Sequence, residues 1–130
     1  LKYPEACKDF NAALAINQND LGALINLSAA SLNGKMYQQR ITTSDRLQKL
    51  APNRWESYFY KGTAYVNLGK YKEGLLVLEK AIELNPNDPF VWYNTGVAHQ
   101  QMGNKEQAKK YILKAKSLNY PVSEAVLNSL

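Results

Sequence analysis

The chain is 130 residues long, 45% hydrophobic and 21% charged, with 16 lysines and arginines against 11 acids and a net charge of +5. That is one domain's length with apolar material for a core, and it excludes a disordered or collagenous chain. One cysteine and one histidine exclude an internal disulfide and a Cys/His zinc site and leave little for a histidine-based triad, and no apolar run reaches the roughly 20 residues of a membrane span.

These features predict a soluble segment with no cofactor, no metal and no membrane insertion. The start at Leu1 in place of Met points to a longer parent protein. Cytoplasm and periplasm both fit.

The chain superposes on itself at an offset of 34 residues. Residues 1–20 read as the second helix of a truncated unit, because Lys2, Tyr3, Glu5, Ala13 and Asn17 fall on Lys70, Tyr71, Glu73, Ala81 and Asn85 two periods later. Residues 21–54 form a divergent unit in which Ala30, Asn33, Tyr37, Leu50 and Pro52 match Ala64, Asn67, Tyr71, Leu84 and Pro86. Its second half is unusual. Gly34 comes one residue early for the turn, and Arg40-Ile41-Thr42-Thr43-Ser44-Asp45 is a poor helix by propensity. That predicts a helix over 35–50 that is shifted, distorted, or facing something the others do not.

Residues 55–88 and 89–122 read as two further units of two helices each. Asp88 as N-cap with Pro89 behind it starts one helix, and Gly69 and Gly103 end the first helix of each unit. Asn104 with Gln107 has the spacing of a capping box. Gly62 and Gly96 stand mid-helix, which costs about 1 kcal/mol against Ala, so another helix must come close there. Ala64, Ala81, Ala98 and Ala115 mark further close crossings, with Tyr58, Tyr65, Leu78, Trp92 and Ile112 filling the space between helices. Residues 123–130 begin a capping helix.

This pattern resembles the tetratricopeptide repeat family. The third unit reads Tyr58-x2-Lys61-Gly62-x2-Tyr65, Gly74-x3-Leu78, Ala81, Pro86, and the fourth Trp92-x2-Thr95-Gly96-x2-His99, Ala108-x3-Ile112, Ala115. Ala6-x3-Phe10 and Ala13 carry it into the first half-unit, whereas the divergent unit has Arg40, Ser44 and Leu47 where Ala, an aromatic and Ala are expected. The resemblance implies an all-α, right-handed α-solenoid of helix-turn-helix repeats, acting as a non-catalytic protein–protein interaction module, adaptor or scaffold.

It also implies a concave groove lined by the first helix of each unit. The inward positions carry over to Ile25, Asn26 and Asn33, then Phe59, Tyr60, Thr63 and Asn67, then Phe90, Tyr93, Asn94, Val97, Gln100 and Gln101. Phe59, Tyr60, Phe90 and Tyr93 are aromatics that the repeat's own packing does not require. The amides around them both donate and accept hydrogen bonds, as an extended peptide demands. The expected ligand is a protein or peptide segment with apolar side chains and little charge. The family's chaperone-tail clamp needs Lys, Asn and Arg; here Ile25, Ala29, Tyr60, Phe90 and Asn94 stand there, which argues against Hsp70 or Hsp90 C-terminal tails. The inward positions hold no basic residue, which argues against nucleic acid. The alternative is structural: packing on its own protein, or a homo-oligomer through exposed end helices.

Of the single residues, His99 takes the family's tyrosine position and reads as a packed histidine, and Cys7 as a filler or an exposed thiol. Lys105, Lys109, Lys110, Lys114 and Lys116 read as a solvated convex face.

Overall fold

In the computed structural model, which describes Lys8, residues 21–33 (backbone alone over 30–33) and residues 36–130, every regular element is a helix. In chain order these are α1 (Leu21–Asn33), α2 (Tyr37–Leu50), α3 (Trp55–Asn67), α4 (Tyr71–Leu84), α5 (Pro89–Gln101), α6 (Lys105–Ser117) and the short α7 (Glu124–Asn128). The expectations for residues 1–20, Cys7 among them, for Gly34 and for the Asn33 side chain lie outside the described residues.

The 34-residue register holds in the backbone: α3 and α5 begin at 55 and 89, and α2, α4 and α6 at 37, 71 and 105. The starts are of two kinds. First helices follow an extended residue, Arg54 at ψ 125° and Asp88 at ψ 112°. Asp88 caps as expected, its carboxylate accepting from the Phe90 and Val91 amides at 2.9 and 3.4 Å. Second helices follow Met36, Lys70 and Asn104, at ψ 59°, 68° and 71°, and none of the three makes a side-chain cap. The capping box expected from Asn104 and Gln107 therefore does not form. The tight turn holds Asn104 away from the extended backbone from which an N-cap side chain reaches its helix.

That turn is closed by glycine. Gly69 and Gly103 adopt φ of +79° and +81°, and the next amides, Lys70 and Asn104, bond back to the Tyr65 and His99 carbonyls at 2.9 Å.

Within a unit the helices press together at the mid-helix glycines. A Cβ at Gly62 would lie 2.6 Å from Leu78 Cγ, and one at Gly96 would lie 2.6 Å from Ile112 Cγ1. Ala64, Ala81, Ala98 and Ala115 are fully buried, as are Leu78 and Ile112. Tyr58, Tyr65 and Trp92 are half-buried; Tyr58 packs against Leu78, Ala81 and Val91, and Trp92 lies 5.4 Å from the Tyr111 ring, as their filling role requires. Tyr58 and Trp92 also use their polar tips. The Tyr58 hydroxyl donates to the Pro52 carbonyl at 2.9 Å and the Trp92 indole to the Pro86 carbonyl at 2.7 Å, the same bond one period apart.

Successive first helices approach one another, α1 to α3 and α3 to α5, while second helices pack chiefly on first helices. The stack therefore curves, with α1, α3 and α5 on its inner side. Two apolar clusters sit between the layers, Ala23, Leu24, Leu27 and Leu47, then Leu78, Ala81 and Val91. Each large aliphatic so buried contributes about 1.5–3 kcal/mol.

The divergent unit is resolved by α2, which is a regular helix in register, neither shifted nor distorted. Its difference is what it buries: Arg40, Thr43 and Ser44 lie inside beside Ile41 and Leu47. Propensity is overridden by packing, since Leu47 anchors the first cluster and Arg40 reaches across to α3.

Candidate functional site

The inner helices present two groups of side chains. The first lies on α3. Phe59 tilts against Trp55 at 5.8 Å and against Tyr60 at 5.5 Å between ring centroids. Beneath Tyr60 sits the Arg40 guanidinium, 4.6 Å from the ring centroid. Arg40 donates from Nε to the Tyr60 carbonyl at 2.7 Å and from Nη2 to Thr63 Oγ1 at 2.8 Å. Thr63 in turn donates to the Tyr60 carbonyl at 3.1 Å. Arg40 is fully buried, and its Nη1 has no hydrogen-bond partner. Burial pulls the guanidinium down to about 9, with the Tyr60 and Tyr37 hydroxyls opposing, so it is charged at neutral pH. Burial also pushes the Tyr60 hydroxyl up; Arg40 opposes this, and the Glu56 and Asp88 carboxylates add to it.

The second group lies on α5. Tyr93 stacks on Tyr120 at 4.3 Å and 20°, and Phe90 meets Tyr120 edge-on at 5.4 Å and 87°. Phe90 is 56% exposed. Tyr120 reaches this position because the chain leaves α6 through Asn119 at φ +72°, a left-handed conformation that asparagine tolerates.

Not every expected groove residue is displayed. Asn26, Asn67 and Gln101 are exposed, and Val97, Gln100, Tyr93 and Asn94 half-buried. Asn94 commits one amide N–H to the Phe90 carbonyl of its own helix at 2.7 Å. Thr63 is buried and held by Arg40, so it supports the groove and is not presented in it. Phe59 packs on Leu78, Ala81 and Val91, and Ile25 on the first cluster. For Phe59 this corrects the expectation that packing does not need it.

Sequence reasoning missed Arg40 and Tyr120. Both had a signal. Arg40 stands one and two periods before Gly74 and Ala108, and Tyr120 one period after Pro86, so each breaks its column.

The remaining candidates are packed or outward. His99 stacks on Tyr111 at 5.1 Å and 21°, with both ring nitrogens buried and unpartnered. Burial lowers its pKa, against the pull of Glu79. Lys114 lies 5.8 Å from the Trp92 ring centroid and Lys116 pairs with Glu124 at 3.4 Å. A hollow of about 340 Å³ at the Gly69–Tyr71 turn, against Met102, lies at the joint between α3 and α4, apart from both aromatic groups. Among the described residues no cluster of His, Cys, Asp and Glu suits a metal ion, and no helix is long and apolar enough to cross a membrane.

Two family models match, TPR repeat over residues 62–103 and tetratricopeptide repeat over residues 91–120. The chain belongs to the tetratricopeptide repeat family. It is 23% identical over 107 residues to tetratricopeptide repeat-containing protein trd-1 of Caenorhabditis elegans, covering 82% of this chain and 14% of that one. It is 27% identical over 122 residues to protein O-mannosyl-transferase TMTC3 of Homo sapiens, covering 90% of this chain and 13% of that one. The chain thus spans a small part of these two relatives. Among solved structures, MamA 41-end from Desulfovibrio magneticus RS-1 superposes with a TM-score of 0.78 at 27% identity, over 90% of this chain and 66% of that one. The fold is the right-handed tetratricopeptide α-solenoid, and the family supports a protein–protein interaction or scaffold module.

Proposed function

We propose that this tetratricopeptide repeat segment is a non-catalytic adaptor that holds an extended partner peptide along the surface lined by α1, α3 and α5. The observation that carries this is Phe90. It is a large aromatic left 56% exposed on an inner helix, beside the stacked Tyr93 and Tyr120. Exposed amides on the same helices, Asn26, Asn67 and Gln101, suit a peptide backbone. Aromatic anchors ringed by adaptable polar groups are what peptide-binding surfaces use. The surface offers aromatics and amides in place of basic side chains, which favours protein over nucleic acid.

The same reading takes 21–54, 55–88 and 89–122 as three units of one domain. Residues 123–130 are then the start of a capping helix. One relative carries a transferase name; the adaptor reading is supported by the repeat fold, which is generally a non-catalytic interaction module.

The test is a random-peptide display selection on the whole chain, with affinities of the selected peptides measured for wild type and for Phe90→Ala/Tyr93→Ala. The double variant is expected to bind at least about tenfold more weakly while keeping its helical fold and cooperative melt, since aromatic anchors buried on binding are worth about 2 kcal/mol or more. Equal affinity would move the site to the α6 lysines or to self-association through the end helices.

A further inference from the structure

Arg40 is an expensive residue. The matching positions of the next two units hold Gly74 and Ala108, both buried. Here a full guanidinium fills the slot, fully buried, with Nη1 unpartnered and, among the described residues, no carboxylate paired with it. A buried cation without a counter-charge costs several kcal/mol, and an apolar side chain of similar volume would fill the slot at less cost. Packing alone does not call for an arginine. The guanidinium keeps one buried donor, Nη1, uncommitted.

The position says from which side an anion would reach it. Arg40 extends inward from α2 to the groove-lining helix α3, bonding the Tyr60 carbonyl and the Thr63 hydroxyl. Its cover is the half-buried Tyr60 ring, 4.6 Å from the guanidinium carbon. We infer that Arg40, with Tyr60 as a movable cover, is a subsite for one carboxylate, the side chain of a single Asp or Glu in the partner peptide. The inference rests on the groove reading above. Rotation of Tyr60 gives up one cation–π contact and lets the guanidinium make a charge-assisted bond in its place.

The neighbouring charges set the selectivity. Glu56 and Asp88 both act on the Tyr60 hydroxyl. Asp88 is engaged at the start of α5, and Glu56 is paired with Arg54 at 3.2 Å. Both acids oppose an approaching carboxylate, so only one that reaches the Arg40 guanidinium gains a partner there. The donor comes from an outer helix, and it meets one carboxylate.

The test is display selection from a random-peptide library on the whole chain, for wild type, Arg40→Met and Arg40→Lys, followed by a blocked peptide from the selected set made with its acid as Asp or as Asn. Wild type is expected to select an acid at one fixed position and to prefer the Asp peptide about tenfold, the size of one charge-assisted bond. Arg40→Met should lose that preference, keep the apolar one, and melt no lower than wild type. Arg40→Lys should keep the acid preference in weaker form. Selected peptides with no acidic position would overturn the subsite while leaving the groove reading intact. So would an Asp preference that survives in Arg40→Met. A large drop in melting temperature for Arg40→Met with unchanged selection would make Arg40 a structural strut. Selection of no peptide would overturn the groove reading itself and this subsite with it.

Discussion

Leu78 lies where a side chain on Gly62 would have to be. The Cβ of an alanine there would sit 2.6 Å from Leu78 Cγ and 2.8 Å from Leu78 Cδ2. Helix propensity favours Gly62→Ala by about 1 kcal/mol, but forcing the two helices apart costs about 1–3 kcal/mol. Net destabilisation of up to about 2 kcal/mol is expected. Gly96→Ala should cost at least as much, because its Cβ would meet two backbone atoms, the Ala108 carbonyl at 3.1 Å and the Ile112 nitrogen at 3.2 Å, where that at Gly62 meets one, the Gly74 carbonyl at 3.3 Å. Urea unfolding of the two variants checks this, and a gain in stability for either would contradict the packing described.

Two residues that look alike as caps should behave differently. Asp88→Ala removes bonds to two helix amides and is expected to cost about 1 kcal/mol. Asn104→Ala removes no side-chain cap and should change stability by only a few tenths. Thermal melts of the pair read the contrast directly, and equal losses would mean that Asn104 does cap α6.

His99 predicts a pH dependence. Burial lowers its pKa from 6.5, with the Glu79 carboxylate opposing and the Tyr111 ring stacked on it. The unfolded chain therefore binds a proton at a higher pH than the folded one. His99 contributes full stability above the unfolded value near 6.5, and stability falls as pH drops from there through the lower folded value. His99→Phe should flatten the stability profile over that window. A profile unchanged by the substitution would show that the folded protein accommodates the imidazolium.

The repeat was legible because it rests on residues with no substitute. Gly62, Gly96 and the four buried alanines sit where helices touch, and Gly69 and Gly103 where the chain needs a positive φ. Such constraints are local and recur every 34 residues. The site was less legible because its key contacts cross units. Arg40 belongs to one unit and its partners Tyr60 and Thr63 to the next, so reading each unit separately marks Arg40 only as a misfit. Tyr120 hides in the same way, since its role depends on the left-handed turn at Asn119 that swings it onto Tyr93. Asn104 shows the reverse failure: the right residue types at the right spacing, on a backbone that cannot use them.

The central claim is that partners bind on the inner helices. The most direct measurement is amide and arginine side-chain NMR of the labelled chain, titrated with a display-selected peptide. Chemical-shift changes concentrated on α1, α3 and α5, with Phe90, Tyr93 and the Arg40 Nε–H among the most affected, are the expected result. Changes confined to the lysine-bearing face of α6, with α3 and α5 unmoved, would contradict the account.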